Sequence, residues 1–318
     1  MSDERIRFAA VGAGRVFQRY HLPCADARDT MDLVGLVDSD VERARALVAD
    51  RPQVWTGTSV ERLIQEARPD VISVCTPNDS HAQPVLAALD AGIAVLCEKP
   101  LAATVEEARR MAAHPAAEKL LGVNMPFRFH PLLKPFAEVA RSGAQRVEFS
   151  FATPGNRVWR ACTPWYDDAR RAGGGALLDL GPHAIDLLMA VFGPPDVEAC
   201  EVDATGVEQR ARVDMSFQGV PATLRIDRAA RRLETSVTVT TADGDHVLDV
   251  RRNELRRADG TVEEGGRSPE LAAISAYFDT VTGVVSPHGK VGAQDALEVQ
   301  LVVESAYRCA KEAAAPLA

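Results

Sequence analysis

No two of the six cysteines (Cys24, Cys75, Cys97, Cys162, Cys200 and Cys309) stand close together, so neither a zinc-ligand spacing nor a disulfide framework can be drawn. They read as reduced, small hydrophobes of a cytoplasmic protein, and no metal site is expected. The chain also lacks an apolar run near the ~20 residues that a membrane helix requires. Its most apolar stretches, Gly92 to Cys97 and Ala184 to Phe192, are far shorter, and no membrane partner is expected. The start, Met1-Ser2-Asp3-Glu4-Arg5, has neither an apolar signal region nor a cleavage site, so export is not expected. A basic excess is missing too: 36 Lys and Arg against 45 Asp and Glu leave a net charge of −9. That is the wrong field for releasing counterions from nucleic acid or anionic lipid. A small polar substrate fits it. No internal repeat or low-complexity tract is present.

What is there is an ordinary globular composition, 46% hydrophobic and 25% charged, over 318 residues. That is more chain than one hydrophobic core usually holds, so two domains are expected. The first 122 residues alternate β-branched runs with amphipathic stretches, the pattern of a doubly wound parallel α/β sheet. The strands expected are Ile6 to Val11, Leu33 to Asp38, Val71 to Cys75, Ile93 to Cys97 and Leu120 to Val123. The helices between them are Val41 to Ala49, Val60 to Ala67, Ala82 to Asp90 and Val105 to Ala112.

After Asn124 the composition shifts through the proline-punctuated segment Met125 to Pro135. Strand-like runs follow at Arg146 to Ala152, Val197 to Asp203, Arg210 to Phe217, Ala222 to Asp227, Thr235 to Thr241 and His246 to Arg251. Helices at Pro269 to Thr282 and Ala293 to Ala314 close the chain. Residues 123–318 are therefore expected to form an α+β domain on an open, mainly antiparallel sheet, which serves substrate binding and oligomerisation. The last helix is a candidate for packing back on the first domain. An open sheet with one uncovered apolar face would call for a partner, giving a homodimer or homotetramer.

The first strand ends in Gly12-Ala13-Gly14-Arg15-Val16-Phe17, where two glycines permit a tight turn and let a pyrophosphate approach the backbone at a helix N-terminus. A glycine turn of this kind is also met as plain structure. Asp38 adds weight: it ends the second strand 21 residues after Phe17, where a carboxylate would take the adenosine ribose hydroxyls. Ser39 and Asp40 follow in place of a cation, which favours NAD(H) over NADP(H). Arg43 and Arg45 keep NADP(H) open if the loop bends. Asp40 also reads as the cap of the helix starting at Val41.

Glu98-Lys99-Pro100 ends the fourth of these strands, Ile93 to Cys97, and the carboxyl ends of such strands are where ligands sit. Lys99 is either a solvated charge or an ammonium that stabilises a developing alkoxide. Gly173-Gly174-Gly175 opens a stretch that, if helical, sets Asp179 and His183 one turn apart on one face. That spacing suits a carboxylate orienting an imidazole for proton transfer. It equally suits a buried, satisfied histidine with a capping aspartate.

Taken together and in this order, the motifs resemble the Gfo/Idh/MocA family of nicotinamide-dependent oxidoreductases acting on sugars and cyclitols. The resemblance spans the chain. It comprises the glycine turn, Thr76-Pro77-Asn78 with His81, Glu98-Lys99-Pro100, Arg128-Phe129-His130-Pro131, the triple glycine, and Asp179-x-x-x-His183-x-x-Asp186. It implies a Rossmann domain followed by an open-sheet domain, with Lys99, Asp179 and His183 as the catalytic set. Asn78 and Glu98 would line the cofactor cleft. Gly12, Gly14, Arg15, Val16, Asp38, Thr76, Pro77, His81 and Lys99 complete the expected cofactor contacts.

Phe17 departs from the family pattern, which has a small residue at the third fingerprint position, and is expected to disturb packing of the first helix on the sheet. The segment with Arg157, Trp159, Arg160, Trp165 and Tyr166 concentrates cations and rings of the kind that bind sugars. These residues and Arg128 are the substrate candidates, the alternative being an arginine-rich loop paired with Asp167 and Asp168.

The expected reaction is NAD(P)-dependent oxidation of a secondary alcohol of a sugar, amino sugar or cyclitol, or the reverse ketone reduction. A nicotinamide-responsive regulatory binder and a redox-neutral enzyme with tightly held NAD are the alternatives. An intact acid-base set weighs against a pure binder.

Overall fold

The β-branched runs of the first 124 residues fold into six parallel strands: β1 (Ile6–Val11), β2 (Met31–Val37), β3 (Trp55–Gly57), β4 (Val71–Val74), β5 (Ala94–Glu98) and β6 (Leu121–Asn124). This is seen in a computed structural model that describes residues 5–203, 206–266, 269–281 and 290–314. The strand order is β3-β2-β1-β4-β5-β6, so chain direction across the sheet reverses between β1 and β4. That reversal is the topological switch point where α/β sheets bind ligands. Phe8, Ala9, Ala10 and Val11 are all buried, as expected of a parallel strand covered on both faces.

Three of the intervening helices, Val41–Leu47, Val60–Ala67 and Val105–Ala112, start at residues whose side chains satisfy an otherwise unpaired N–H. Asp40 accepts from Arg43 N (3.3 Å), Ser59 from Arg62 N (3.2 Å) and Thr104 from Glu107 N (3.2 Å). Helices Val60–Ala67, Ala82–Asp90 and Val105–Ala112 lie where the three- and four-residue apolar spacing places them.

By backbone contacts the chain divides into two units. The first comprises Met1–Asn124, Ala161–Trp165 and Ala273–Leu297; the second comprises Met125–Arg160, Tyr166–Ala272 and Glu298–Ala318. The helix Pro269–Val281 gives Ile274, Tyr277 and Phe278 to the core of the first unit. Thr282, its expected end, lies outside the described residues.

Phe17 is fully buried in that core. Its ring lies 6.4 Å from that of Phe8, against which Phe278 packs edge-on at 5.3 Å. The helix after the glycine turn accommodates it by opening as a wide π-type turn over Phe17–His21 before tightening at Leu22–Asp26.

In the second unit, eight strands are added: β7 (Arg146–Ala152), β8 (Asp196–Val202), β9 (Arg210–Phe217), β10 (Val220–Asp227), β11 (Glu234–Thr241), β12 (Gly244–Asp249), β13 (Glu254–Arg256) and β14 (Val262–Glu264). Their order is β14-β13-β12-β11-β7-β10-β9-β8, and every pair is antiparallel except β7 with β10. Alternation in sequence becomes alternation in space. Val147, Phe149, Val213, Met215, Phe217, Leu224, Val237 and Val239 are buried, and the helix Ala176–Phe192 packs against β7, β9 and β10. Each such side chain contributes about 1.5–3 kcal/mol by leaving water.

The 24-residue stretch Ala169–Phe192 is long and apolar enough to cross a membrane, but 72% of its most apolar window is buried inside the protein. Its main part, Ala176–Phe192, is the core helix of this unit.

The outward face of the sheet is not the apolar surface expected from the sequence. It carries Glu148, Ser150, Arg212, Asp214, Thr223 and Thr238, with Arg212 Nε 2.9 Å from Asp214 Oδ2 and Thr223 Oγ1 donating to Asp214 Oδ1 at 2.7 Å. A groove of about 420 Å³ in this region has a mixed lining, with Arg210, Arg212 and Arg225 beside Phe151, Val202 and Ile226. The polar half of each strand's alternation points outward, so an uncovered apolar face gives no ground for self-association here.

Candidate active site

In the first unit, Gly12 has φ +99°, and a Cβ there would fall 2.5 Å from the Cys75 carbonyl oxygen, so only glycine lets β1 turn beside β4. The turn is held on its other side by β2. Gly12 N donates to Val37 O (2.7 Å), and Ala13 N donates to Asp38 Oδ2 (2.7 Å). The other carboxylate oxygen of Asp38 accepts from Asp40 N (2.9 Å) and from Arg43 Nη1 (3.0 Å), while Arg43 Nη2 reaches Asp40 Oδ2 at 3.2 Å. Both carboxylates therefore clamp Arg43. Arg15 and Val16 are half-buried in the loop, and Arg15 Nε has no hydrogen-bond partner among the described residues. A narrow glycine turn with an unsatisfied guanidinium N–H suits an anionic dinucleotide.

The strand ends next to this loop are cross-tied. His81 is fully buried; its Nε2 meets Thr76 O (3.0 Å) and its Nδ1 meets Pro100 O (3.0 Å) and Leu101 O (3.3 Å). Burial pushes its pKa below the usual histidine value, against the opposing pull of these carbonyls. His81 was expected as a cofactor contact. With its ring enclosed and both nitrogens engaged, it instead ties the Thr76-Pro77 turn to the turn after Lys99. Asn78 is buried beside it, and Lys99 is half-buried and joined to Pro100 by a cis peptide bond.

Glu98 is also turned inward, its Oε1 accepting from His21 Nε2 and Asn124 Nδ2, both at 2.7 Å, while His21 Nδ1 meets Ser73 Oγ at 3.0 Å. Burial alone would raise the Glu98 pKa. The hydrogen bonds from His21 and Asn124, with the nearby charge of His21 and Lys99, outweigh it and hold the carboxyl below its ordinary range. Sequence reading missed His21 and Asn124. The one local signal for His21 is its place one helical turn after the buried Phe17.

In the second unit, the helix Ala176–Phe192 carries Asp179, His183 and Asp186 on successive turns. Its N-terminal N–H groups are bound by a buried carboxylate. Glu208, 1% exposed, accepts from Gly175 N (3.0 Å), Leu177 N (2.8 Å) and Tyr307 OH (2.7 Å), and the Tyr307 oxygen takes Leu178 N (3.2 Å). An anion on the first turn also suits the helix dipole. Burial, and then the Glu208 charge, raises the Tyr307 pKa, which keeps that hydroxyl a donor.

Asp179 lies 3.6 Å from Arg228 Nη1, and the His183 ring sits 5.0 Å from Phe127 and 6.1 Å from Phe151, a half-buried imidazole walled by aromatics. Arg128, expected among the substrate contacts, has its fork on the fully buried Asp186, with Nε at 3.2 Å from Oδ2 and Nη2 on Oδ1. It anchors the 126–129 turn to the helix. Arg157 and Arg160 are exposed, Trp159 and Tyr166 half-buried. Trp165 is half-buried too and belongs to the first unit. Asp168 caps the next turn at Arg170 N (3.0 Å). Among the described residues there is no cluster of metal-ligating side chains.

A parallel sheet with a glycine turn at its switch point is the form of a dinucleotide-binding unit, and the chain adds to it a second, open-sheet unit. Residues 6–125 match the Gfo/Idh/MocA oxidoreductase family, NAD-binding Rossmann fold, and residues 144–246 match the Gfo/Idh/MocA C-terminal domain. The chain belongs to this family. It is similar to the D-glucoside 3-dehydrogenase of Escherichia coli, 32% identical over 204 residues that cover 63% of this chain and 57% of that protein. With the 1,5-anhydro-D-fructose reductase of Ensifer adhaerens it shares 30% identity over 253 residues, covering 75% of this chain and 74% of the reductase. Among solved structures, the WlbA dehydrogenase of Bordetella pertussis, in complex with NADH and UDP-GlcNAcA, superposes with a TM-score of 0.83 over 100% of both chains at 18% identity, a likeness of fold.

Proposed function

We propose that this oxidoreductase transfers a hydride between NAD(H) and a secondary alcohol or ketone of a sugar, amino sugar or cyclitol. The observation that carries the reading is Asp179 one turn before His183 on a helix whose N-terminus is fixed by a buried carboxylate. A pure cofactor binder has no use for an acid-base pair held in that way. The sugar class is supported by relatives named as sugar dehydrogenases and reductases.

The glycine turn, Arg15, Asp38 and the Thr76-Pro77-Asn78 strand end would hold the dinucleotide, with His81 and the buried Glu98 keeping the surrounding turns in place. Bound there, NAD(H) supplies the hydride acceptor or donor. In the oxidation direction His183 takes the hydroxyl proton, Asp179 orients the imidazole, and the Lys99 ammonium stabilises negative charge growing on the substrate oxygen. In reduction His183 returns the proton. Asp38 and Asp40 both hold Arg43, which supports NAD(H) over NADP(H).

The test is fluorescence titration with NADH and NADPH beside steady-state assays on a panel of sugars and inositols. Tighter NADH binding with turnover of at least one polyol is expected. Tight NADH binding without turnover of any polyol would replace this reading with the regulatory one.

A further inference from the structure

Arg228 directly follows β10 and is only 7% exposed, although it brings a full charge into the second unit. Its main chain is fixed by donation to Gln209 O (2.8 Å), and its Nε reaches Gln209 Oε1 at 3.4 Å. The loop after β7 closes over it: Gly155 has φ +57°, and a Cβ there would meet the Arg228 carbonyl oxygen at 2.6 Å and its Cγ at 3.1 Å. Nη1 faces the Asp179 carboxylate at 3.6 Å. Nη2 is buried and has no hydrogen-bond partner among the described residues. A buried donor without an acceptor is rare in folded proteins, and one beside a carboxylate of the proposed acid-base pair points to a ligand atom.

We propose that Arg228 binds the substrate as well as positioning Asp179. Nη1 holds the carboxylate, and the Nη2–H donates to an oxygen of the sugar or cyclitol. Because Asp179 already balances the guanidinium charge, this oxygen belongs to an uncharged hydroxyl or carbonyl; a substrate carboxylate or phosphate here would leave a buried excess of negative charge. Arg228 thus selects neutral polyols at this subsite. The inference rests on the functional reading above, from which it takes the role of Asp179.

The test uses the full chain. D-Glucose, D-galactose, D-xylose and myo-inositol, with methyl glycosides of the three sugars, are assayed with NAD, and the one turned over fastest is compared with its monodeoxy derivatives. Three proteins are measured: wild type, Arg228→Lys and Arg228→Gln. A lysine keeps the cation beside Asp179 but gives up the second arm of the fork, so Arg228→Lys should raise KM about tenfold and leave kcat within about threefold. Arg228→Gln loses the cation as well, and kcat should fall about tenfold or more. One monodeoxy substrate should bind more weakly to the wild type and lose nothing further in Arg228→Lys, which identifies the hydroxyl that Nη2 meets.

Thermal melts check that each variant is folded, and Arg228→Lys decides the matter if Arg228→Gln is not. An unchanged KM in Arg228→Lys, or equal losses for every deoxy substrate in wild type and Arg228→Lys, overturns the inference and leaves the functional reading standing. Tighter binding of D-glucuronate than of D-glucose overturns the preference for an uncharged oxygen. If the wild type binds NADH but turns over no polyol, the functional reading falls and this inference falls with it.

Discussion

Asp38 Oδ2 accepts a hydrogen bond from the main-chain N–H of Ala13 at 2.7 Å, so the carboxylate that follows β2 also locks the glycine turn that follows β1. Its second oxygen is committed to Asp40 N and Arg43. The residue expected to choose the cofactor is thereby part of the loop's own scaffold.

Replacing Asp38 by alanine has two separable effects. Ala13 N–H loses its acceptor in a buried site, which should cost about 1–3 kcal/mol of unfolding free energy. Arg43 also loses a partner, leaving a less compensated cation where a 2′-phosphate would lie, so preference should move toward NADP(H) by about tenfold or more. Denaturant unfolding reads the first effect and paired NADH and NADPH titrations the second. An NAD/NADP ratio unmoved by Asp38→Ala would remove Asp38 and Arg43 from the ribose site.

Lys99 and His183 are proposed to act on charge and protons that appear only during hydride transfer. Lys99→Ala and His183→Ala should each lower kcat on the order of 100-fold or more while NADH affinity stays within a few-fold. Near wild-type turnover in both variants, on the substrate that the wild type turns over, would end the proposed mechanism.

The regular elements were legible because burial imposes a period that the chain writes out. Val60, Leu63 and Ala67 mark one helical face, and Val213, Met215 and Phe217 one face of a strand. The three-residue strands β3, β13 and β14 are too short to show any period, and all three went unread. Within the site, glycine and proline motifs were legible because they are local. The groups that hold them were not: Glu208 reaches Tyr307 across 99 residues, and His21 reaches Glu98 across 77. No spacing rule links residues so far apart. Arg128 shows a related limit, since a sequence shows that an arginine is present but not that its fork is set on Asp186.

Glu208 offers a test of the helix that carries Asp179 and His183. Its carboxylate accepts two N–H groups of the first turn and the Tyr307 hydroxyl while almost fully buried. Glu208→Ala strands the Leu177 N–H and the Tyr307 hydroxyl, each left unmade at about 1–3 kcal/mol before any relaxation, and leaves Gly175 N only the Tyr307 oxygen at 3.3 Å, so it should lower the melting temperature strongly. Glu208→Gln keeps an acceptor oxygen and the volume but places an NH₂ group against N–H donors, so its loss should be intermediate. Thermal melts of the two variants check this order. Equal stability of wild type and Glu208→Ala would show that water replaces the cap without penalty.

Acid should destabilise the first unit in two successive pH ranges. His81 has its pKa lowered from 6.5, mainly by burial, so the unfolded chain binds a proton more readily than the folded one. The stability it contributes is complete above pH 6.5 and is lost as pH falls below that value. Glu98 is held below its ordinary 4.5, so its contribution survives to lower pH and disappears as pH falls from 4.5 through its folded value. Melting temperatures of wild type, His81→Gln and Glu98→Gln across pH 8 to 3.5 separate the two ranges. His81→Gln, whose neutral amide can still donate to the Thr76 or Pro100 carbonyl, should start less stable at pH 8 and lose less between pH 7 and 5. Glu98→Gln should parallel the wild type in that range and diverge only below about pH 4.5. A His81→Gln curve that runs parallel to the wild type from pH 8 to 5 would mean that protonation of His81 does not govern the loss in the first range.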